Sequence, residues 1–340
     1  MYSSVDVAVT PRPQYGSAGQ KIPDLWTRPK DLREDLQEKY GPFPLFNFWG
    51  PKANIKSTKW IVDSTIYIME NQTPNMILTY LPHLDYDFQR YGPYDPRSKK
   101  ALKELDNEAG RLASYARAQG FDVVVISEYG IEPVTGVIYI NRFLREAGYI
   151  EIRETKFGEL LDFGASRAFA VADHQIAHIY INDPKAKSQL KKLFSELPGV
   201  DLVLDEKGKE KFGINHPRAG DIVLTAEKGR WFAYPWWLED DLAPDFARTV
   251  DIHSKPGYDP VELFSTSGFK GAVKLILKKL GFSVLINIVP LDASLIGGSH
   301  GRLEEDPNKG PVLVCSNSDA QVEKIKVTEF KNWLLSMVLS

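Results

Sequence analysis

Two short apolar runs, Asn75–Leu81 (NMILTYL) and Phe121–Ile126 (FDVVVI), enclose a stretch from Ser98 to Gln119 that carries strong helix formers at helical spacing and stops at Gly120. Continuous apolar runs of this length are the pattern of strands buried on both faces of a parallel sheet. A helix between two of them makes a βαβ crossover. This unit predicts an α/β fold: a mostly parallel sheet sandwiched by helices, with ligands bound at the carboxyl ends of its strands. Asp85 follows the first run and Ser127 and Glu128 end the second, so both carboxylates are expected at that edge.

The rest of the chain has a different texture. Up to about residue 58 it is rich in proline and aromatics, with one helical segment, Pro29 to Tyr40, and a second helix is predicted from Ser57 to Asn71. Val137 to Ala147 reads as a helix closed by Gly148. Short strands and turns follow, at Ala168–Ala172, Ala177–Ile181, Asp201–Leu204, Asp221–Ala226 and Trp231–Trp237, with a helix from Pro184 to Leu197. The pattern assigns residues 155–250 to an inserted α+β cap subdomain and residues 1–154 and 251–340 to the α/β core. The core resumes with a helix (Phe269–Leu280), a strand (Phe282–Asn287) and the loop Gly297–Gly301, which leads to the apolar Pro311–Ser316.

Composition narrows the function. The 42 Lys and Arg against 45 Asp and Glu leave a net charge of −3, which supplies no general attraction to a nucleic-acid polymer or an anionic membrane. Cys315 is the only cysteine, so an intrachain disulfide and a thiolate zinc or iron–sulfur site are excluded. Any metal must be held by oxygen and nitrogen. No run reaches membrane-spanning length and the start lacks a basic segment followed by an apolar one, so a soluble, cytoplasmic protein is expected. Its oligomeric state is left open.

Asp85, Glu128 and His300 lie far apart in sequence, yet each follows a buried strand or sits in a glycine-rich loop feeding one. Two carboxylates and an imidazole suit Zn²⁺ or Mn²⁺. Spacing alone favours the reading in which the two acids cap the following turns or helices and His300 makes a loop hydrogen bond. In Asp251–Phe264, the cluster His253, Lys255, Tyr258 and Asp259 either clamps a phosphate or forms an interdomain turn stiffened by Pro256 and Pro260. His174 and His178 stand on strand-like flanks, where residues four apart are about 13 Å apart, so a hydrogen-bonded turn residue and a packed residue are expected. The aromatic group Trp231, Phe232, Tyr234, Trp236 and Trp237 reads as core. Among the cations, Arg302 beside the His300 loop is the first choice for a phosphate.

The blocks Leu78–Pro93 (LTYLPHLDYDFQRYGP), Val123–Gly130 (VVVISEYG) and Gly297–Gly301 (GGSHG) resemble, in order, those of the nucleotide pyrophosphatase/phosphodiesterase and phosphonoacetate hydrolase branch of the alkaline phosphatase superfamily. The resemblance implies an alkaline phosphatase-like core and a metal-dependent hydrolase of phosphodiester, pyrophosphate or phosphonate bonds, acting on a small phosphorylated substrate. Asp85 and His300 match metal-ligand positions of that family. Gln89 stands where the first block carries a His, Glu128 replaces the Asp of the second, and Tyr129 replaces the neighbouring His. The resemblance therefore implies Asp85, Glu128 and His300 as ligands, with Gln89, Tyr129, His253, Lys255 and Arg302 lining the substrate site. An oxygen-rich set favours Mn²⁺ or Mg²⁺, or a single ion, over a tightly bound zinc pair. The opening 84 residues show no counterpart of the family's first metal-binding Asp or of its Thr or Ser nucleophile. That departure carries an alternative: a non-catalytic relative that binds a phosphorylated ligand or a partner.

Overall fold

The strands Ala168–Asp173 and Ile176–Ile181 alternate buried with half-buried side chains, as expected where one face of a sheet packs on a core. They form a hairpin through His174 and Gln175. Ile222–Ala226, buried throughout, pairs with the second of them, and Val200–Leu204 completes a four-stranded antiparallel sheet. The helices Ile140–Glu146 and Lys187–Ser195 pack on this sheet, sharing its core through Leu144, Leu190 and Phe194. Trp236, Trp237 and Tyr234 join the same core and meet edge to face. The aromatic run is therefore packing, as its composition suggests.

This computed structural model describes residues 4–17, 21–266, 288–304, 306–320 and 322–339. The expected helix Phe269–Leu280 and strand Phe282–Asn287 lie outside them. Contacts divide the chain into two units, one of Met1–Leu84, Lys100–Gly130 and Gly310–Ser340, the other of Asp85–Lys99 and Ile131–Lys309. The sheet above belongs to the second. So do the strands Gly136–Tyr139 and Arg230–Ala233, which pair in parallel, and the short antiparallel pair Glu132–Pro133 with Gly298–Ser299.

The first unit is built on helices. Ile55–Gln72 starts where the Asn54 side chain accepts from the Lys56 N–H, and it packs with Leu32–Tyr40 around Leu36, Phe43 and Trp60. Pro96–Ala118, rich in Ala, Lys, Glu and Arg with proline at its start, is the helix that the sequence predicts.

The strands flanking that helix differ from expectation. Residues 75–82 take no strand, and Leu78 and Tyr80 are 81% and 61% exposed. The second run is a strand only over Val124–Ile126, paired antiparallel with Leu313–Cys315, and Val125 and Ile126 are 43% and 49% exposed. An apolar run becomes a buried strand only if a neighbour supplies the ladder and a second layer covers it, and neither is encoded locally. The paired strands among the described residues are antiparallel except for Gly136–Tyr139 with Arg230–Ala233 and an isolated bridge between Ala172 and Gly257. The fold is thus mixed helix and strand with small sheets, and the mostly parallel sheet is not found among them.

Candidate functional site

Asp85 lies in the first turn of the helix His83–Tyr91, a favourable place for a carboxylate at the positive end of the helix dipole, and not at a strand end. Gln89, one turn on, is buried. Its amide N–H donates to Asp85 Oδ2 at 2.8 Å, while its Oε1 accepts from the Tyr258 hydroxyl at 2.9 Å. The Tyr258 ring stacks on His174, centroids 4.5 Å apart, and His174 lies against His300 at 4.0 Å. A continuous string from Asp85 to His300 therefore runs through side chains drawn from a helix, a turn, a hairpin and a loop, all within the second unit.

Two close backbone approaches make this possible. Gly297 and Gly298 lie on the C-terminal turn of His83–Tyr91, where a Cβ on Gly297 would sit 2.6 Å from the Tyr91 carbonyl carbon and one on Gly298 would strike the Phe88 carbonyl. The Gly297 N–H donates to the Gln89 carbonyl at 2.9 Å. Gly257, at φ +109°, lies against Ala172, where any Cβ would collide with the Ala172 carbonyl, and the Tyr258 N–H donates to that same oxygen at 2.8 Å. Only glycine satisfies either position. The hairpin turn closes the site, with the Gln175 N–H donating to the His300 carbonyl at 2.8 Å and Ser299 Oγ 3.3 Å from His174 Nδ1.

Burial sets the charge state. It holds the His300 imidazole down to about 4, and burial together with the neighbouring His300 holds His174 well below the ordinary range. Both rings are neutral at pH 7 and keep a lone pair for a proton or a ligand. Burial raises the pKa of the adjacent Asp173.

The other predicted residues are placed as follows. Arg302 is half-buried with Nε 3.8 Å from Glu132 Oε1. Lys255 is enclosed: its ammonium reaches Asp259 Oδ2 and Glu262 Oε1, each at 2.7 Å, and the Thr249 carbonyl at 3.2 Å. Three acceptors match its three protons, so it ties the turn together and has no donor left for a phosphate. His253 is exposed in the same turn. Glu128, exposed, and Tyr129, half-buried, follow the strand Val124–Ile126 in the first unit. His174 is the turn residue that the sequence suggests, at φ 56° with its carbonyl accepting from the Phe232 N–H, but its ring also joins the string to His300. No local signal marks Glu132 or Gln175, which are buried and bonded to each other at 2.6 Å.

The donors fit a resident divalent ion only in part. Asp85 offers an anionic oxygen and His300 a neutral nitrogen, but the Gln89 oxygen is taken by Tyr258. Among the described residues no group of three or more His, Cys, Asp and Glu side chains is placed to share an ion. No helix among them is long and apolar enough to cross a membrane.

Comparisons with known proteins complete the picture. Phosphonoacetate hydrolase from Sinorhizobium meliloti 1021, in complex with phosphonoformate, is 19% identical, with 53% of this chain and 43% of that chain covered at a TM-score of 0.40. Murine ectonucleotide pyrophosphatase/phosphodiesterase 5 is 15% identical, with 71% of this chain and 51% of that one covered at a TM-score of 0.39. An inactive form of the murine protein in complex with AMP is 16% identical, covering 68% and 60% at a TM-score of 0.38. The chain thus spans less than two thirds of the length of these structures. No curated protein matches it. The model of the type I phosphodiesterase/nucleotide pyrophosphatase family matches residues 1–259, which include Asp85, Gln89, His174 and Tyr258. On that match, extending over most of its length, the chain belongs to the type I phosphodiesterase/nucleotide pyrophosphatase family.

Proposed function

We propose that the protein hydrolyses a phosphodiester, pyrophosphate or phosphonate bond in a small phosphorylated substrate, at the site that runs from Asp85 to His300. The observation that carries the reading is the hydrogen-bonded and stacked string Asp85, Gln89, Tyr258, His174 and His300, in a chain of this family. Gln89 orients the Asp85 carboxylate. The two neutral imidazoles can accept a proton, and Arg302 beside His300 is the cation suited to phosphoryl oxygens. Dependence on Zn²⁺, Mn²⁺ or Mg²⁺ belongs to the proposal, with Asp85 and His300 as the first candidate ligands.

The test is hydrolysis of bis(p-nitrophenyl) phosphate with each ion in turn. The expected result is turnover above the metal-only blank, lost in both Asp85→Ala and His300→Ala and reduced in Tyr258→Phe. Absence of turnover with every ion would overturn the reading. A second reading, a phosphorylated-ligand binder without turnover, is favoured by Gln89, a neutral amide whose Oε1 already accepts from Tyr258 and is a weaker metal ligand than an imidazole. It predicts that AMP binds by calorimetry while hydrolysis stays at the blank.

A further inference from the structure

Arg302 follows His300 by two residues and is 14% exposed at its side chain, yet its one ion-pair partner among the described residues, Glu132, is 3.8 Å away, beyond hydrogen-bond reach. Its Nε is buried with no hydrogen-bond partner among them. A guanidinium has five donors in a rigid fork, and one this enclosed with its donors unspent is arranged for an acceptor that arrives from outside. Glu132 is itself buried, 10% exposed at its side chain. The pairing of Ser299 with Glu132 across the two short strands fixes it beside the His300 loop. Gln175 then locks it: the Gln175 amide N–H donates to Glu132 Oε1 at 2.6 Å and to the Arg230 carbonyl at 3.0 Å, while the Gln175 backbone N–H holds the His300 carbonyl. One glutamine therefore ties the buried carboxylate and the His300 backbone to a single point. Glu132 Oε2 and Gln175 Oε1 are buried without partners among the described residues. A polar pair kept buried at that cost needs a compensating role, and the nearest charge is Arg302.

Resting on the hydrolase reading above, we propose that Glu132 and Gln175 are positioning residues for Arg302, which binds the anionic phosphoryl or phosphonyl oxygens of the substrate beside His300. Glu132 attracts the guanidinium from a distance too long to satisfy it, so the side chain is aimed without being consumed.

Calorimetric binding of inorganic phosphate and of AMP to the whole chain tests this, because it needs no turnover and so separates this proposal from the hydrolase reading. Glu132→Gln decides by sign. Removing a negative charge near a phosphate site strengthens anion binding if only Coulomb attraction matters. Loss of aim weakens it instead, and the expected result is a rise in Kd of roughly tenfold, the scale of one charge-assisted hydrogen bond. Arg302→Lys keeps the charge but not the fork and is expected to weaken binding by a similar factor; because it retains a cation beside Glu132, it keeps the test usable if the Glu132 variant does not fold. In the hydrolysis assay the same variants are expected to raise KM more than they lower kcat. Unchanged or tighter phosphate binding in Glu132→Gln, unchanged binding in Arg302→Lys, or no phosphate binding by the wild-type chain would each overturn the proposal.

Discussion

Val223 and Val125 sit in runs that read alike, DIVLTA and FDVVVI, and end up in different surroundings. Val223 is fully buried in a strand that is paired on both sides, with Ile176–Ile181 and with Val200–Leu204. Val125 is 43% exposed in a three-residue strand with a single partner strand. Sequence confers a taste for extension on both. Burial comes from neighbours, and the second unit supplies them on both sides of Ile222–Ala226 from strands much nearer in sequence, whereas the partner of Val124–Ile126 comes from nearly 190 residues away.

The largest expected break of this comparison lies in the turn of the second unit. Lys255→Met leaves Asp259 and Glu262 facing each other in a buried site without their cation and is expected to destabilise by roughly 3–5 kcal/mol in urea unfolding. A loss within experimental error would show that the triad is hydrated and that the second unit is less tightly packed there than its burial indicates. A like-for-like pair sharpens the contrast: Val223→Ala is expected to cost about 2 kcal/mol and Val125→Ala no more than about 0.5 kcal/mol. Equal costs would mean that the Val125 strand is covered as well.

Acid separates the two regions more gently. In the second unit, burial and then the Lys209 charge lower the His178 pKa below its ordinary 6.5, and its Nδ1 accepts from the Gly220 N–H. The fold favours the neutral ring, so its stabilisation is complete above 6.5 and falls as pH drops from there toward the folded value. In the first unit Asp24 is pushed up by burial but pulled down further by Arg33, Gln14 and the Leu25 N–H, to about 2 from 3.8. Its contribution is complete above 3.8 and is lost as pH falls toward 2. Hydrogen exchange across an acid titration should therefore loosen peptides around residues 176–226 before those around 24–37. His178→Gln should flatten the first change and Asp24→Asn the second. The reverse order would refute the assignment of these groups.

Much of the local structure is legible in the residues. The helix Pro96–Ala118 follows from its helix formers, the hairpin from alternation around Asp173–Gln175, and the packed aromatics from their size. The motif at Gly297–Gly301 marks a real crossing of backbones. The reading fails at Asn75–Leu81, where an apolar run with no strand partner among the described residues stays out of any strand, and Asp85 appears on a helix.

What the sequence alone determined is local: where helices start and stop, which segments prefer extension, and where a missing side chain lets two backbones touch. Those preferences act over a few residues through sterics and short-range hydrogen bonds. Which side chains then meet was decided by tertiary structure. Gln89 finds Tyr258 across 169 positions and His174 finds Ser299 across 125, and Glu132 takes its place only because a two-residue strand pairs with Gly298–Ser299. Contacts of that span have no local signal, since each depends on the packing of every element between the two residues, and so the site could be guessed in its parts but assembled only in the fold.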